Sequence, residues 1–411
     1  MKNIFLKFIP FWIFLVLYKL GGALHYSLIS PLGERLLPLW VVGVLMGGGS
    51  VIQLILDVPA GHLLDRFGYL RLLKLTTFIF LFAGIALVFQ FTLTTYLVSL
   101  TAATFGWVFF GPGVNAYVLS QAPKENAGKF FSFRDIFGSM GVVLASAVLG
   151  LVLALSTTMI GWLIFVTMAI ALFVIYFSPS DAASVHSEQK IPTQYHYIRR
   201  SYIHKILPIL SKLNPASTML LLTGLTSSIF YGVIWFVVPL VIANTANSGL
   251  LSIGLGIFDF AVVALGFILG KMADRGNKRT LVFFGLLLFS VSGTILSFNF
   301  NWLFLLFGFL ATTGEEMASI SLWSWLHSLD KEHANDGLVS GVINLFQDLG
   351  WALGPILAGF LYGWIGPSWT IMSAALLLFV SWIAYQFVMR HHVLLAALDM
   401  PRKPHRPRHR V

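Results

Sequence analysis

Long apolar runs constrain this chain more than any other feature. Twelve of them, each about 20 residues or longer, match the length that a helix needs to cross roughly 30 Å of hydrocarbon. Such runs are expected to be helical, because hydrocarbon offers no partner to unpaired backbone groups. The predicted spans are residues 8–30, 37–60, 72–92, 95–120, 133–155, 158–178, 216–243, 249–270, 280–298, 302–327, 338–363 and 367–389. The sequence therefore predicts an all-α integral membrane protein.

The composition agrees with a membrane environment. Of the 411 residues, 57% are hydrophobic and 10% are charged, whereas a soluble domain carries roughly 25% charged residues. Disordered, collagen-like and disulfide-rich secreted proteins are excluded, and the absence of cysteine leaves no thiol motif to interpret. The first span follows Lys2 and Lys7 as a signal peptide would, but it is longer than a signal peptide's apolar region and has no A-x-A site. We expect it to be retained.

The positive charges predict the topology. The chain has 26 Lys and Arg residues and a formal net charge of +10. If the spans alternate in direction, all of these residues except Lys19 and Arg35 lie on the side that holds both termini. The positive-inside rule then places both termini in the cytoplasm of a multi-pass protein of the cell membrane. The basic excess therefore gives no case for binding nucleic acid.

The longest polar stretch divides the chain between the sixth and seventh spans. We expect residues 1–178 to form a first six-helix half and residues 216–390 a second. Residues 179–215 would be a cytoplasmic linker with an amphipathic basic segment, and residues 391–411 a basic cytoplasmic tail.

The two predicted halves are related by an internal repeat. An offset of 209 residues aligns residues of the same type in both, as in Gly61 with Gly270, Asp65 with Asp274, Arg66 with Arg275, Asn126 with Asn335, Gly128 with Gly337, Gly141 with Gly350, and Gly150 with Gly359. One offset without insertions predicts two six-span halves in parallel repeat.

Two short segments at repeat-related positions resemble a known motif. The sequences GHLLDRFGYLR at residues 61–71 and GKMADRGNKR at residues 270–279 follow the second and eighth spans. Both resemble the loop signature of the major facilitator superfamily, G-x-L-x-D-R-x-G-R-[KR], and the resemblance covers essentially the whole chain. It implies the major facilitator fold, with 12 transmembrane helices in two six-helix halves, and loop contacts that stabilise the outward-facing state. The implied gating residues are Asp57, Gly61, Asp65, Arg66, Gly68, Arg71, Gly270, Asp274 and Arg275.

Two departures from the family pattern bear on the mechanism. Trp107 occupies the position in the fourth span where many proton-coupled members carry arginine. The G-x-x-x-G-P motif associated with antiporters is not kept in the fifth span, where Gly141 is followed by Ala145 and Ser146. Both departures weaken a direct transfer of a drug–proton antiport mechanism.

Ionisable residues within the spans are candidates for function, because a charge in the bilayer interior is costly. Lys19 lies near the middle of the first span. The proton-coupling candidates are Asp259, Glu315, Glu316 and Asp348. The alternative is a purely structural pair, in which Lys19 neutralises a glutamate across the cavity. Arg134 and Asp135 open the fifth span and are interpreted as gate or loop anchors.

Polar and aromatic side chains recur at helical spacing and predict faces that line a cavity. The substrate-cavity candidates are Lys19, Tyr26, Thr104, Asn115, Ser228, Tyr231, Trp235, Thr312, Ser319, Trp323 and Asn344. Most lie in the first, fourth, seventh and tenth spans, which line the cavity in the family. His25 is expected near the outer interface.

No phosphate-binding loop, H-E-x-x-H motif or nucleophile elbow is present, so we expect neither an enzyme nor a metal or cofactor. The leading hypothesis is a secondary transporter that exports an amphipathic or aromatic compound in exchange for protons. One alternative is proton-linked or facilitated uptake of a polar solute such as a sugar or organic acid, and another is a non-transporting receptor on the same fold. The expected partners are a small-molecule substrate, protons and the bilayer, with the protein as a monomer.

Overall fold

A computed structural model describes residues 7–121, 127–179, 215–245, 248–275, 277–329 and 336–398. All regular secondary structure in these ranges is helical, which confirms the all-α prediction. The helices are α1 (Ile9–Glu34), α2 (Leu39–Phe67), α3 (Tyr69–Val88), α4 (Leu93–Val108), α5 (Phe110–Gln121), α6 (Ala127–Leu153), α7 (Thr157–Ile175), α8 (Pro215–Ala243), α9 (Ser248–Arg275), α10 (Lys278–Leu296), α11 (Trp302–Leu329) and α12 (Asp336–Leu398).

Eleven apolar stretches in the described ranges are long enough to cross a membrane. Helices α4 and α5 form one of them, Leu93–Val118, and are separated because Pro112 has no amide hydrogen to bond the carbonyl of Val108. The last stretch, Asn344–Arg390, has 47 residues, or roughly 70 Å of helix. It contains a non-helical residue, Gly366, with φ 73° and ψ 175°. Gly366 divides α12 into a first arm, residues 336–365, and a second arm, residues 367–398.

The motif at residues 61–71 was expected to form a loop, but most of it is helical. Helix α2 continues through Phe67, and only Gly68 breaks the chain before α3 begins. Gly68 has φ 90°, which glycine adopts without the steric cost that a Cβ would bring. Its amide still donates to the carbonyl of Leu64. Helix α9 likewise continues through Arg275, so both motif copies lie largely on the last turns of helices.

The sequence repeat recurs in the helix packing. A Cβ at Gly141 of α6 would collide with the carbonyl oxygen of Val16 on α1, and a Cβ at Gly350 of α12 would lie 2.5 Å from that of Leu225 on α8. The offset of 209 residues relates both members of the first contact to both members of the second. Close backbone approach at small residues is how membrane helices gain packing energy.

We therefore expect Gly141→Val and Gly350→Val each to lower the free energy of unfolding by about 2 kcal/mol or more, because the obstructing atoms are backbone and cannot rotate away. Thermal unfolding of the purified protein in detergent measures the effect. Gly363→Val is the matched control, since a Cβ there would meet nothing within 4 Å. Equal melting temperatures for all three variants would contradict the expectation.

Helices α1–α7 and α8–α12 meet near one end of the bundle, called here the Glu34 face, where α1 ends and α9 begins. Ser30 Oγ on α1 donates to the carbonyl oxygen of Phe236 on α8 at 2.9 Å. Asn244 Nδ2 donates to Glu34 Oε2 at 3.4 Å. These contacts join the first group of helices to the second.

Helix α2 and the first arm of α12 form a second contact between the two groups of helices. This contact is called here the seam. Trp40 stacks on Phe360 with ring centres 5.9 Å apart. Glycines on both helices allow the backbones to touch: a Cβ at Gly359 would lie 2.6 Å from the carbonyl oxygen of Leu39, and Cβ atoms at Gly43 and Gly47 would collide with carbonyl oxygens of α12.

The opposite end of the bundle is called here the Arg66 face. Added Cβ atoms at Gly111 of α5 and at Gly266 and Gly270 of α9 would meet nothing within 4 Å. Asn344, at the start of the apolar part of α12, is exposed. The space between the two groups of helices is called here the crevice.

Candidate functional site

Four of the predicted intramembrane charges come together in the crevice. Lys19 of α1 interacts electrostatically with Asp259 of α9. Asp259 in turn interacts with Glu315 and Glu316 of α11. All four side chains are half-buried. We call Lys19, Asp259, Glu315 and Glu316 the central cluster; its members come from both groups of helices.

Arg134 and Asp135 of α6 extend the central cluster toward the Arg66 face. Arg134 donates from Nη2 and Nε to Asp135 Oδ1 at 2.6 and 2.9 Å, and from Nη1 to the amide oxygen of Asn115. Lys19 interacts electrostatically with both residues, and Glu316 interacts with Asp135. The predicted anchors of the fifth span are therefore electrostatic neighbours of the crevice charges, and the cavity candidate Asn115 is held by one of them.

Among the described residues of this region, carboxylates outnumber cations. Asp135, Asp259, Glu315 and Glu316 face Lys19 and Arg134, of which Arg134 is paired with Asp135. No N···O contact within 4 Å joins Lys19 to Asp259, so the two charges oppose each other across the crevice without a direct ion pair. Ser139 of α6 interacts with Asp259 from the other group of helices.

The ammonium group of Lys19 lies against aromatic rings. Its Nζ is 5.1 Å from the ring centre of Trp107 and 5.6 Å from that of Phe110, which is the range of a cation–π interaction. Gly138 and Gly141 of α6 leave room for the lysine stem, whose Cε is 3.9 Å from the place of a Cβ at Gly138. Trp107, at the position where the family pattern has arginine, thus supports a cation that α1 supplies.

Aromatic side chains close the crevice on its Glu34 side. Tyr26 packs against Trp235 and Trp351, in both cases with ring centres 6.2 Å apart. Tyr231 stacks on Trp351 at 6.3 Å and donates from its hydroxyl to Thr312 Oγ1 at 3.4 Å. The structure therefore brings together four predicted cavity residues, and Trp351 joins them.

The remaining candidates are dispersed. Thr104 is buried and donates to the carbonyl of Leu100 within its own helix. Ser228 is buried at the contact with Gly350. Ser319 and Asp348 are half-buried, and Asn344 is exposed. The side chain of Trp323 lies outside the described residues.

The motif residues are only partly described. The side chains of Asp57, Asp65, Asp274 and Arg275 and the surroundings of Gly61 lie outside the described part of the chain. Arg66 and Arg71 are exposed at the Arg66 face, Gly68 forms the turn, and Gly270 borders open space. The predicted gating contacts of these segments therefore stay a prediction.

His25 is buried between helices. Its side chain is 4% exposed, and its Nε2 lies 2.9 Å from Ser99 Oγ on α4. No sequence pattern indicated this contact, because no periodicity links residues so far apart. Ser139 was also missed, although it lies one helical turn beyond Asp135 and so shares its face.

Comparison with known proteins identifies the family. The family model of the Major Facilitator Superfamily matches residues 3–335 and 220–409. Two uncharacterised MFS-type transporters from Mycobacterium tuberculosis, of strains CDC 1551 and H37Rv, are 32% identical over 136 residues. That stretch is 33% of this chain and 31% of each relative, so the match spans about a third of the relatives' length.

Solved structures share the fold at low sequence identity. A bacterial homologue of the human lysosomal transporter Spinster, in an inward-facing and unoccupied conformation, superposes with a TM-score of 0.74 at 12% identity, covering 95% of this chain and 98% of that one. The nucleoside transporter NupG gives 0.71 at 13% identity, with 93% and 98% covered. The human organic anion transporter MFSD10 (TETRAN) gives 0.65 at 14%, with 92% and 98% covered. Family model and fold agree: this multi-pass membrane protein belongs to the major facilitator superfamily, a family of secondary transporters rather than enzymes.

Proposed function

We propose that the protein moves a small amphipathic or aromatic compound across the cell membrane in exchange for protons, by alternating access, with export as its direction. The observation that carries this proposal is the surplus of carboxylates in the crevice. Asp259, Glu315 and Glu316 lie together there, with Lys19 as the cation that faces them.

The surplus favours proton binding for an electrostatic reason. Carboxylates that are withdrawn from water and close to one another cannot all stay ionised without a compensating positive charge. Lys19 supplies one such charge, and protons are the simplest source of the others. A crevice that opens alternately to the two sides of a membrane would load these protons on one side and release them on the other.

The aromatic wall supports the substrate class. Tyr26, Tyr231, Trp235 and Trp351 present ring surfaces next to the charges. Binding sites for small organic molecules combine such apolar walls with a few polar groups that fix the orientation of the ligand.

The proposed orientation places the Arg66 face in the cytoplasm, because the basic residues other than Lys19 and Arg35 belong to that side of the predicted topology. The contacts of Ser30 with Phe236 and of Glu34 with Asn244 then lie on the outer side of the membrane, and we propose that the described conformation opens to the cytoplasm. Counting the two arms of α12 as separate crossings gives 12 spans, with two halves at residues 1–178 and 216–390. We further propose that the protein acts as a monomer and that the motif segments at the Arg66 face hold the opposite, outward-open state.

Transport by proteoliposomes under an imposed pH gradient tests the proposal. A thermal-shift screen of the purified protein first selects aromatic amines, acids and neutral compounds that bind. We expect bound compounds to be accumulated only when a pH gradient is present, and to move protons in the opposite direction. Transport that ignores the gradient would favour facilitated uptake, proton and solute movement in the same direction would favour symport, and binding without flux would favour a receptor.

A further inference from the structure

A small pocket, lined by both apolar and polar side chains, adjoins the crevice on its Glu34 side, between α1, α2 and α4. Its polar and aromatic lining consists of His25, Tyr26, Ser50, Gln53, Thr104 and Trp107. We call this space the His25 pocket. Among the described residues that line it, none is an aspartate, glutamate, lysine or arginine. It has room for a group about the size of a water molecule or slightly larger.

A glycine of α2 creates part of the space. Gly49 lines the pocket, and a Cβ there would lie 2.9 Å from Thr104 Oγ1. A side chain at this position would fill part of the gap between α2 and α4. Since glycine weakens a helix interior, the cavity is obtained at some cost to α2.

Hydrogen-bond directions fix the state of neutral His25. Ser99 has one hydroxyl proton, which it donates to the carbonyl oxygen of Ala83 at 2.8 Å. Ser99 Oγ must therefore accept from Nε2 of His25 in their 2.9 Å contact. A neutral imidazole with its proton on Nε2 has a lone pair on Nδ1, so His25 presents an acceptor that no described residue uses.

Other polar groups of the pocket also lack partners among the described residues. The hydroxyl of Tyr26 is buried and makes no hydrogen bond. The side chains of Gln53 and Ser50, both half-buried, make none either. Buried polar groups in proteins are almost always paired, so the unpaired hydroxyl of Tyr26 and the free acceptor of His25 point to a polar occupant.

Two aromatic residues connect the pocket to the central cluster. Trp107 lines the pocket and carries the Lys19 ammonium against its ring. Tyr26 lines the pocket and packs against Trp235 and Trp351 of the aromatic wall. A molecule whose ring lies against this wall would therefore be able to extend a short substituent into the pocket.

We propose that the His25 pocket is a subsite for a hydroxyl group at the end of the transported compound. A hydroxyl donates to Nδ1 of His25 and accepts from the hydroxyl of Tyr26 or the amide of Gln53, which matches the unused groups. An ionised substituent would meet no opposite charge among the described residues of the lining. The inference rests on the proposed transport of an aromatic compound, and it adds the functional group by which the protein selects among such compounds.

Matched pairs of ligands test the subsite directly. We suggest tyramine with phenethylamine, 6-hydroxyquinoline with quinoline, and 4-hydroxyphenylacetate with phenylacetate, because each pair differs by one hydroxyl. Equilibrium binding to the purified full-length protein would be measured for the native chain and for Gln53→Leu and His25→Phe. Gln53→Leu removes no hydrogen bond of the described structure, so it keeps the test valid if His25→Phe, which breaks the Ser99 contact, fails to fold. Gln90→Leu, in the exposed turn before α4, is the matched control.

We expect the native protein to bind the hydroxylated member of at least one pair about tenfold or more tightly, the scale of a hydrogen bond made to otherwise unpaired groups. Gln53→Leu should lose that preference without weakening the hydroxyl-free partner, and Gln90→Leu should keep it. Equal affinities within every pair, as expected if the pocket holds only a bridging water, would overturn the subsite, and so would failure of every compound to bind. A hydroxyl preference that persists while flux ignores the pH gradient would instead sink the proton coupling and leave the subsite standing.

Discussion

Glu316→Gln and Asp259→Asn are each expected to abolish transport driven by a pH gradient while leaving exchange of substrate between the two sides of the membrane intact. The amide matches the protonated carboxyl in size and charge, so each variant mimics a permanently loaded carrier. If release of a proton from these groups is what couples the gradient to conformational change, the variants can alternate but cannot be driven. Proteoliposomes preloaded with substrate separate the two activities, because exchange needs no gradient.

The matched control for this prediction is Glu34→Gln. Glu34 lies outside the central cluster, at the Glu34 face, where it accepts a hydrogen bond from Asn244. It should leave gradient-driven transport unchanged. Glu315→Gln distinguishes the two adjacent glutamates, which point in different directions from α11 although both interact with Asp259. If Asp259→Asn and Glu316→Gln both transport under a pH gradient like the native protein, the assignment of proton carriage to these residues fails.

Much of the fold was predictable because a bilayer leaves little choice. A run of about 20 apolar residues has to be a helix, and its ends are set by where polarity returns. The errors fall where that constraint ends. The motif segment at residues 61–67 is polar enough to resemble a loop, yet no residue stops the helix before Gly68, so α2 extends past the predicted boundary. Gly366 is the opposite case. The chain around it is apolar, yet the helix breaks at this glycine, between the last two predicted spans.

The site was less predictable than the fold, for a related reason. Isolated charges such as Lys19 and Asp259 stand out against an apolar background, and helical spacing indicates which side chains share a face. Spacing within one helix does not identify the residues of other helices against which that face packs. The contact of His25 with Ser99 and the support of Lys19 by Trp107 are of this kind, and both required the packed structure.

A second large effect is expected from substitutions that force α2 and the first arm of α12 apart. Valine at Gly43 would place its Cβ against the carbonyl oxygen of Pro355 and close to Gly359 Cα, and valine at Gly47 would meet the carbonyl oxygen of Ala352. These atoms are backbone, so no rotamer change relieves the clash. Unlike Gly141 and Gly350, Gly43 and Gly47 lie between the two groups of helices and not within one. The substitutions should therefore destabilise the described conformation more than the fold.

The chain contains no cysteine. A single introduced cysteine is therefore the one thiol that a maleimide can label, and its labelling rate measures its exposure. Ser30→Cys is a conservative choice, because Ser30 is fully buried at the contact with Phe236. In Gly43→Val and Gly47→Val, a membrane-impermeant maleimide added from the Glu34 side should label this cysteine faster than in the native background. Gly48→Val is the matched control on the same helix, since a Cβ there meets nothing within 4 Å.

The size of the shift follows from the energies involved. Overpacking costs about 1–3 kcal/mol per site, whereas inverting a two-state equilibrium from 1:99 to 99:1 takes about 5.5 kcal/mol. Each single variant should thus raise labelling by roughly tenfold to 100-fold and slow transport, and the double variant Gly43→Val with Gly47→Val should approach full inversion and lose transport while its melting temperature stays near that of Gly48→Val. Labelling equal to the control would mean that the two groups of helices do not part along this seam, and closure at the Glu34 face would then have to be broken elsewhere.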